Sequence, residues 1–364
     1  MRRKTHFRTD TKTILEQALS RPEYSLPAPG DAPFQIEVTR GPAVESRHRV
    51  SCAVVDAVGA TVAAWGDVER PVYPRSSLKP LQALPLVESG AADAHAVSER
   101  ELSLACASHN GEAAHLDTVG AWLGRIGLGV EDLACGPQWP RRQDDLHDLV
   151  RAGGAPTRAD NNCSGKHTGM LTTALHLGAP TAGYTELDHP VQRAIFAAIG
   201  EIAGCDLDVA PVGIDGCSAP NPGMPLHNLA LAFARFAAPD GLPTERAAAC
   251  RRIAKAMTAE PFMVAGTGRL CTALMQAAAG RVVAKTGAEG VFIAALPEQG
   301  IGVALKAEDG ATRAAQAGLA AVLDHLGVLD DQIHAAIAAY ATPTLTNWDG
   351  LEIGEVRVSA EPAF

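Results

Sequence analysis

"GRVVAKTGAEGVFIAALPEQGIGVALKAED", residues 280–309, decides the fold. Its three apolar runs, "GRVVAKTG", "GVFIAALP" and "GIGVALKAED", read as three short strands at close spacing. The Ala-rich stretch "ATRAAQAGLAAVLDHLG" (311–327) follows them with helical periodicity. Near the other end, "HRVSCAVVDAVGATVAAWGD" (48–67) alternates apolar stretches around Asp56 to Gly59 and reads as a β-hairpin with a short turn. One antiparallel sheet assembled from both chain ends accounts for these runs. Between them, roughly over 80–280, lie the amphipathic patterns "EAAHLDTVGAWLGRIG", "HPVQRAIFAAIGEIAG", "NLALAFARFA" and "TERAAACRRIAKAM", separated by Gly/Pro-rich loops. A sheet from the two ends with a helical region inserted is an α+β arrangement, three-layered in its sandwich of sheet and helices. Its cleft is expected between the two parts.

Residues 1–33 read as an extension, with a polar and basic start, a short helical pattern around "TILEQALS" and the Pro-rich linker "PEYSLPAPGDAPF". Residues 34–364 are then one domain. With 47% apolar and 20% charged residues the chain has the usage of a globular protein. The net charge of −10 argues against nucleic acid, which needs clustered Lys and Arg, and points to a small molecule as partner. No apolar run reaches the about 18 residues of a membrane span, and the basic N-terminus lacks the apolar core of a secretory signal. The expected compartment is the cytoplasm, and the expectation is no membrane contact. Cys52, Cys106, Cys135, Cys163, Cys205, Cys217, Cys250 and Cys271 are too dispersed for a disulfide framework and read as thiols.

"YPRSSLKP" contains Ser76-x-x-Lys79, and Pro80 places the pair at a helix start. There a hydroxyl and an amine three residues apart share a face. A lysine serves as general base for serine when desolvation and nearby cations lower its pKa. Alone, S-x-x-K equally describes an N-cap serine and a solvated lysine. It is not alone. "CASHN" supplies Ser108-His109-Asn110 in a loop after the helix "ELSLACA", and "VVAKTGAEG" supplies Lys285-Thr286-Gly287 where a strand enters a turn. S-x-x-K, S-x-N and K-T-G in that order form the set of serine acyl-transferring enzymes of the β-lactamase and penicillin-binding group.

Six blocks, "YPRSSLKPLQAL", "CASHNGEAAH", "NNCSGKHTGML", "DGCSAPNPGMPL", "GTGRLCTALM" and "VVAKTGAEGVF", resemble those of the asparaginase II family, the Rhizobium-type L-asparaginases. The resemblance runs over roughly 35–360 and makes 34–364 the catalytic domain. It implies the serine β-lactamase/penicillin-binding-protein-like and glutaminase-like fold, and hydrolysis of L-asparagine to L-aspartate and ammonia. It implies two Ser-Lys tandems as catalytic residues, Ser76 with Lys79 and Ser108 with Lys285. It also implies a Zn²⁺ site of Cys163, Lys166 and Cys217, with a structural or substrate-shaping role, and a homodimer. Two thiolates suit zinc, whereas a lysine must first lose its proton, and on residue chemistry alone His167 competes as the ligand and the cysteines read equally as structural thiols.

A zwitterionic substrate needs an anion for its ammonium and donors for its carboxylate. Asp215 is the candidate for the first, Arg75 and Arg269 for the second, and His167 is a further substrate-binding candidate. A glutaminase, a β-lactam or peptide hydrolase, and a non-catalytic zinc-binding relative remain open as alternatives.

Overall fold

The computed structural model describes residues 24–362, so the helical pattern around "TILEQALS" lies outside the described residues. One end of the chain supplies β1 (Phe34–Arg40), β2 (Ala43–Asp56) and β3 (Thr61–Trp65). The other supplies β4 (Val283–Thr286), β5 (Val291–Leu296), β6 (Ile301–Ala307), β7 (Thr344–Thr346) and β8 (Glu352–Pro362). They form one antiparallel sheet in the order β7-β8-β1-β2-β6-β5-β4, with β3 paired to β2. The two chain ends meet twice, where β2 pairs with β6, Val54 opposite Val303, and where β1 pairs with β8, Val38 opposite Val356. The strands at 283–307 read as nearly continuous apolar runs because helices cover both faces.

The helices are α1 (Glu99–Ala105), α2 (Ala113–Arg125), α3 (Gln143–Arg151), α4 (Ser164–His176), α5 (Pro190–Ala203), α6 (Leu226–Ala237), α7 (Thr244–Ala259), α8 (Leu270–Ala278), α9 (Thr312–His325) and α10 (Asp331–Ala341). Shorter helical turns lie between β3 and α1 and at 261–265. Helix α6 runs against the sheet at β6, and α9 packs on the opposite face, against Phe34 and Val50. Residues directly opposite in an antiparallel ladder share a face. Ala53, Ala304, Ile293 and Lys285 therefore form one row, on the α6 side. The pleat thus delivers the lysine of K-T-G to the side of the inserted helical block.

The Pro-rich segment is tied down from Tyr24 onward. Tyr24 is buried and stacks on His334 with ring centroids 5.5 Å apart, and Trp65 Nε1 donates to Pro27 O at 2.8 Å. All eight cysteines are free thiols.

Candidate active site

Each part of the site is fixed by a local rule. Ser98 and Glu101 form a capping box that starts α1, so the helix runs out at Ala105 and the chain turns at Ser108. Ser108 N then bonds Val264 O at 2.9 Å, and His109 N bonds Asn162 O at 3.3 Å. Helix α4 lies tightly on this segment. A Cβ on Gly165 would stand 2.3 Å from Leu104 O, so the glycine of "CSGK" is needed for the approach of the two helices. A Cβ on Gly287 would stand 2.6 Å from Pro74 O, and the glycine of K-T-G lets the end of β4 come up against "YPRSS".

Ser76 sits in a 3₁₀ turn, Arg75–Leu78, that passes into a helical segment, Lys79–Gln82, with Pro80 in its first turn. Arg75 just before it adopts a left-handed backbone, φ 56°, which an L side chain takes up only at a cost. Lys79 is fully buried. Its amine does not turn to Ser76. It donates to Ala107 O at 2.5 Å, to Ser108 Oγ at 3.0 Å and to Asn162 Oδ1 at 3.4 Å. The spacing places Lys79 beside Ser76, but in the fold the buried amine turns instead to the oxygens of Ala107, Ser108 and Asn162. Lys285, also fully buried, donates to the same Ser108 Oγ at 2.8 Å and to Thr286 O at 2.8 Å. Burial, with Lys79 adding its charge, pushes the Lys285 amine well below the ordinary lysine range. Ser76 Oγ makes no hydrogen bond among the described residues and is more open than Ser108.

Both serines line a cavity of about 440 Å³, together with Cys163, Cys217, Asp215 and Arg269. Asp215 and Arg75, expected to take opposite ends of a zwitterion, are joined: Arg75 Nε and Nη2 donate to Asp215 Oδ1 at 3.0 and 2.8 Å. Gly216 N adds a third bond to that oxygen, and Oδ2 accepts none among the described residues. His167, expected at the substrate, is buried outside the cavity lining, its Nδ1 2.7 Å from Tyr184 OH.

The thiol corner is a charge cluster. Lys166 Nζ donates to Cys217 Sγ at 3.0 Å. A hydrogen bond from Cys163 pushes the Cys217 thiol far down, against its burial and with help from Lys166, and the same bond pushes Cys163 up. Burial works to lower the Lys166 amine, but the two sulfurs outweigh it and hold it above the ordinary range. Among the described residues no three His, Cys, Asp or Glu side chains converge as metal ligands. A metal here depends on Lys166 as third donor beside two sulfurs, and the buried His167 adjoins Cys217. Two sulfurs and an amine are a donor set that fits zinc once Lys166 gives up its proton.

Asn162 is the residue that sequence reasoning missed. Its Oδ1 accepts from Lys79 and lies 3.2 Å from Cys163 Sγ, and Gln138 Oε1 accepts from its Nδ2 at 2.6 Å. It joins the serine–lysine cluster to the thiol corner. Its only signal was its place in "NNCSGK".

An antiparallel sheet from both chain ends, S-x-x-K at the head of the inserted helices and K-T-G closing the site from β4 define an α+β hydrolase of the serine β-lactamase-like class. A family model for L-asparaginase II matches residues 36–358, and the chain belongs to that family. Among solved structures it is similar to the native form of Mglu, at 14% identity over 88% of this chain and 72% of that one, TM-score 0.44. A β-lactamase from Mycobacterium bovis matches at 14% identity over 80% and 95%, TM-score 0.39. A mutant class C β-lactamase matches at 13% identity over 80% and 91%, TM-score 0.37. No curated protein matches the chain.

Proposed function

We propose that the protein hydrolyses L-asparagine to L-aspartate and ammonia through an acyl-enzyme on serine. The observation that carries it is one hydroxyl, Ser108 Oγ, held by two buried lysines on the wall of a cavity it shares with the open Ser76. Ser76 Oγ attacks the side-chain amide carbon. Its freedom from hydrogen bonds and the strained backbone before it support it as the acyl acceptor. Ser108, Lys79 and Lys285 manage the protons. The depressed Lys285 amine takes a proton, the amide nitrogen leaves with one as ammonia, and water then splits the ester to give aspartate. Asp215 Oδ2 is the acceptor for the substrate ammonium.

Zn²⁺ held by Cys163, Lys166 and Cys217 would act as a Lewis acid when bound. Cys163 and Cys217 form part of the wall of the cavity, with Lys166 behind them on Cys217. Incubation with L-asparagine, L-glutamine and a chromogenic β-lactam, with assays of ammonia and ring opening, tests the proposal. Ammonia from asparagine with no ring opening is expected. Ring opening without ammonia overturns it.

A further inference from the structure

Of the charged groups around the 440 Å³ cavity, Arg75 and Asp215 neutralise each other. Among the described residues Glu289, the other carboxylate of the lining, forms no ion pair with the remaining cations, and two of these have no carboxylate partner. Arg269 donates through Nη1 to neutral oxygens alone, Asn110 Oδ1 at 2.9 Å and Ser108 O at 3.3 Å. A guanidinium carries five N–H donors, so most of this one is uncommitted. Arg141 makes no hydrogen bond or ion pair among the described residues. Both arginines, with Thr286 and Thr312, line the 440 Å³ cavity and also a second cavity of about 270 Å³, so the two spaces adjoin along this edge. Two guanidiniums on one edge, with no carboxylate among the described residues bonded to either, act on each other as like charges, an arrangement that an arriving anion relieves. The edge is also next to the chemistry, because Arg269 is bonded to the carbonyl of Ser108 itself.

We propose that Arg269 and Arg141 form the receptor for the α-carboxylate of a free amino acid, so that the site selects substrates with an unblocked carboxyl group. This assignment deepens the proposed asparaginase activity and rests on it. A bidentate guanidinium–carboxylate contact at Arg269 holds one end of the substrate while Asp215 Oδ2 takes the ammonium, leaving the side-chain amide facing the serines. Asparagine with an amidated α-carboxyl, or asparagine inside a peptide, forfeits the arginine contact and leaves two facing cations uncompensated.

The test compares L-asparagine with its α-amide, L-aspartic acid diamide, in wild type, Arg269→Gln and Arg141→Gln, and measures L-aspartate binding to each by calorimetry. Arg141 has no hydrogen bond or ion pair to lose among the described residues, so its variant should fold even if that of Arg269 does not. Wild type should strongly prefer asparagine. Each substitution should raise KM for asparagine, for Arg269→Gln by roughly 30-fold or more, while narrowing the gap between the two substrates. Aspartate binding should weaken in parallel. A protein that binds aspartate through these arginines but releases no ammonia keeps the anion site and loses the proposed catalysis. Undiminished aspartate binding in both variants, or an unchanged preference with equal loss on both substrates, overturns the carboxylate assignment.

Discussion

Lys79 Nζ lies 3.0 Å from Ser108 Oγ, across 29 residues of chain, and leaves the Ser76 hydroxyl three residues away unbonded. The two Ser-x-x-Lys partners are thus split between roles: the serine faces the cavity, and the lysine joins a second lysine on a different serine. Such a cluster works as one unit, and its members' losses do not add.

The first prediction follows from that unity. Ser76→Ala, Ser108→Ala and Lys79→Ala should each cost about 10³-fold or more in kcat, and the Ser76/Ser108 double variant should be little worse than the worse single one. Steady-state ammonia release checks this. Mass spectrometry of a trapped adduct should find it on the Ser76 peptide. An adduct on Ser108 reverses the two serines.

The second concerns pH and activity. Burial and Lys79 push the Lys285 amine down, and only the neutral amine accepts a proton. The neutral fraction grows with pH, so kcat/KM should climb about tenfold per pH unit until it levels off above the folded-state value of the Lys285 amine. The rise should lie well below the pH at which an ordinary lysine titrates. A flat profile between about pH 6 and 9 rules out a lysine base working near neutrality.

The same residue yields a stability prediction. A folded-state amine with depressed proton affinity sheds its proton on folding, so the unfolded chain binds more protons between that value and the ordinary lysine value of about 10.4. Across this window stability rises with pH, and it is lost as pH falls. Lys285→Met fills the same space without the ionisation. It should abolish turnover and raise Tm at neutral pH, by about 2–4 °C for each kcal/mol regained, with the gain shrinking toward alkaline pH. Melting curves at several pH values measure it, and a lower Tm at every pH sinks the argument.

What the sequence made legible was set by how local the cause was. The runs at 283–307 and the hairpin at 48–67 are apolar and bounded by turns, so their strands could be read directly, while the polar start of β2 from Ala43 could not. β1 and β8 could not. Glu37 on β1 is buried against Arg47 and Arg357, and that polar sheet face is closed by ion pairs which only the folded sheet assembles. In the site, residue types were legible and partners were not. Lys285 reaches Ser108 across 177 residues, and Arg75 with Asp215 across 140, so their meeting is a property of the whole fold. Separation along the chain also hid Asn162, which meets Lys79 across 83 residues and bridges two clusters that the sequence suggested separately.

The last prediction is that the thiol corner governs substrate binding more than chemistry. The serines and lysines already supply a nucleophile and a base, so a metal-activated hydroxide is redundant, whereas Cys163 and Cys217 stand on the cavity wall beside Asp215. Removing one sulfur also removes a partner that holds Lys166 charged, and the wall loses its shape together with any metal it carries. Cys163→Ala and Cys217→Ala should therefore raise KM for asparagine and lower bound zinc, with a smaller loss in kcat than Ser76→Ala. Chelator-treated wild type should behave like the cysteine variants and recover when zinc is returned. Elemental analysis beside steady-state kinetics makes the comparison, with circular dichroism to confirm the fold. If chelation abolishes turnover even at saturating asparagine while the fold stays intact, the metal drives the chemical step and the division of labour drawn here is wrong.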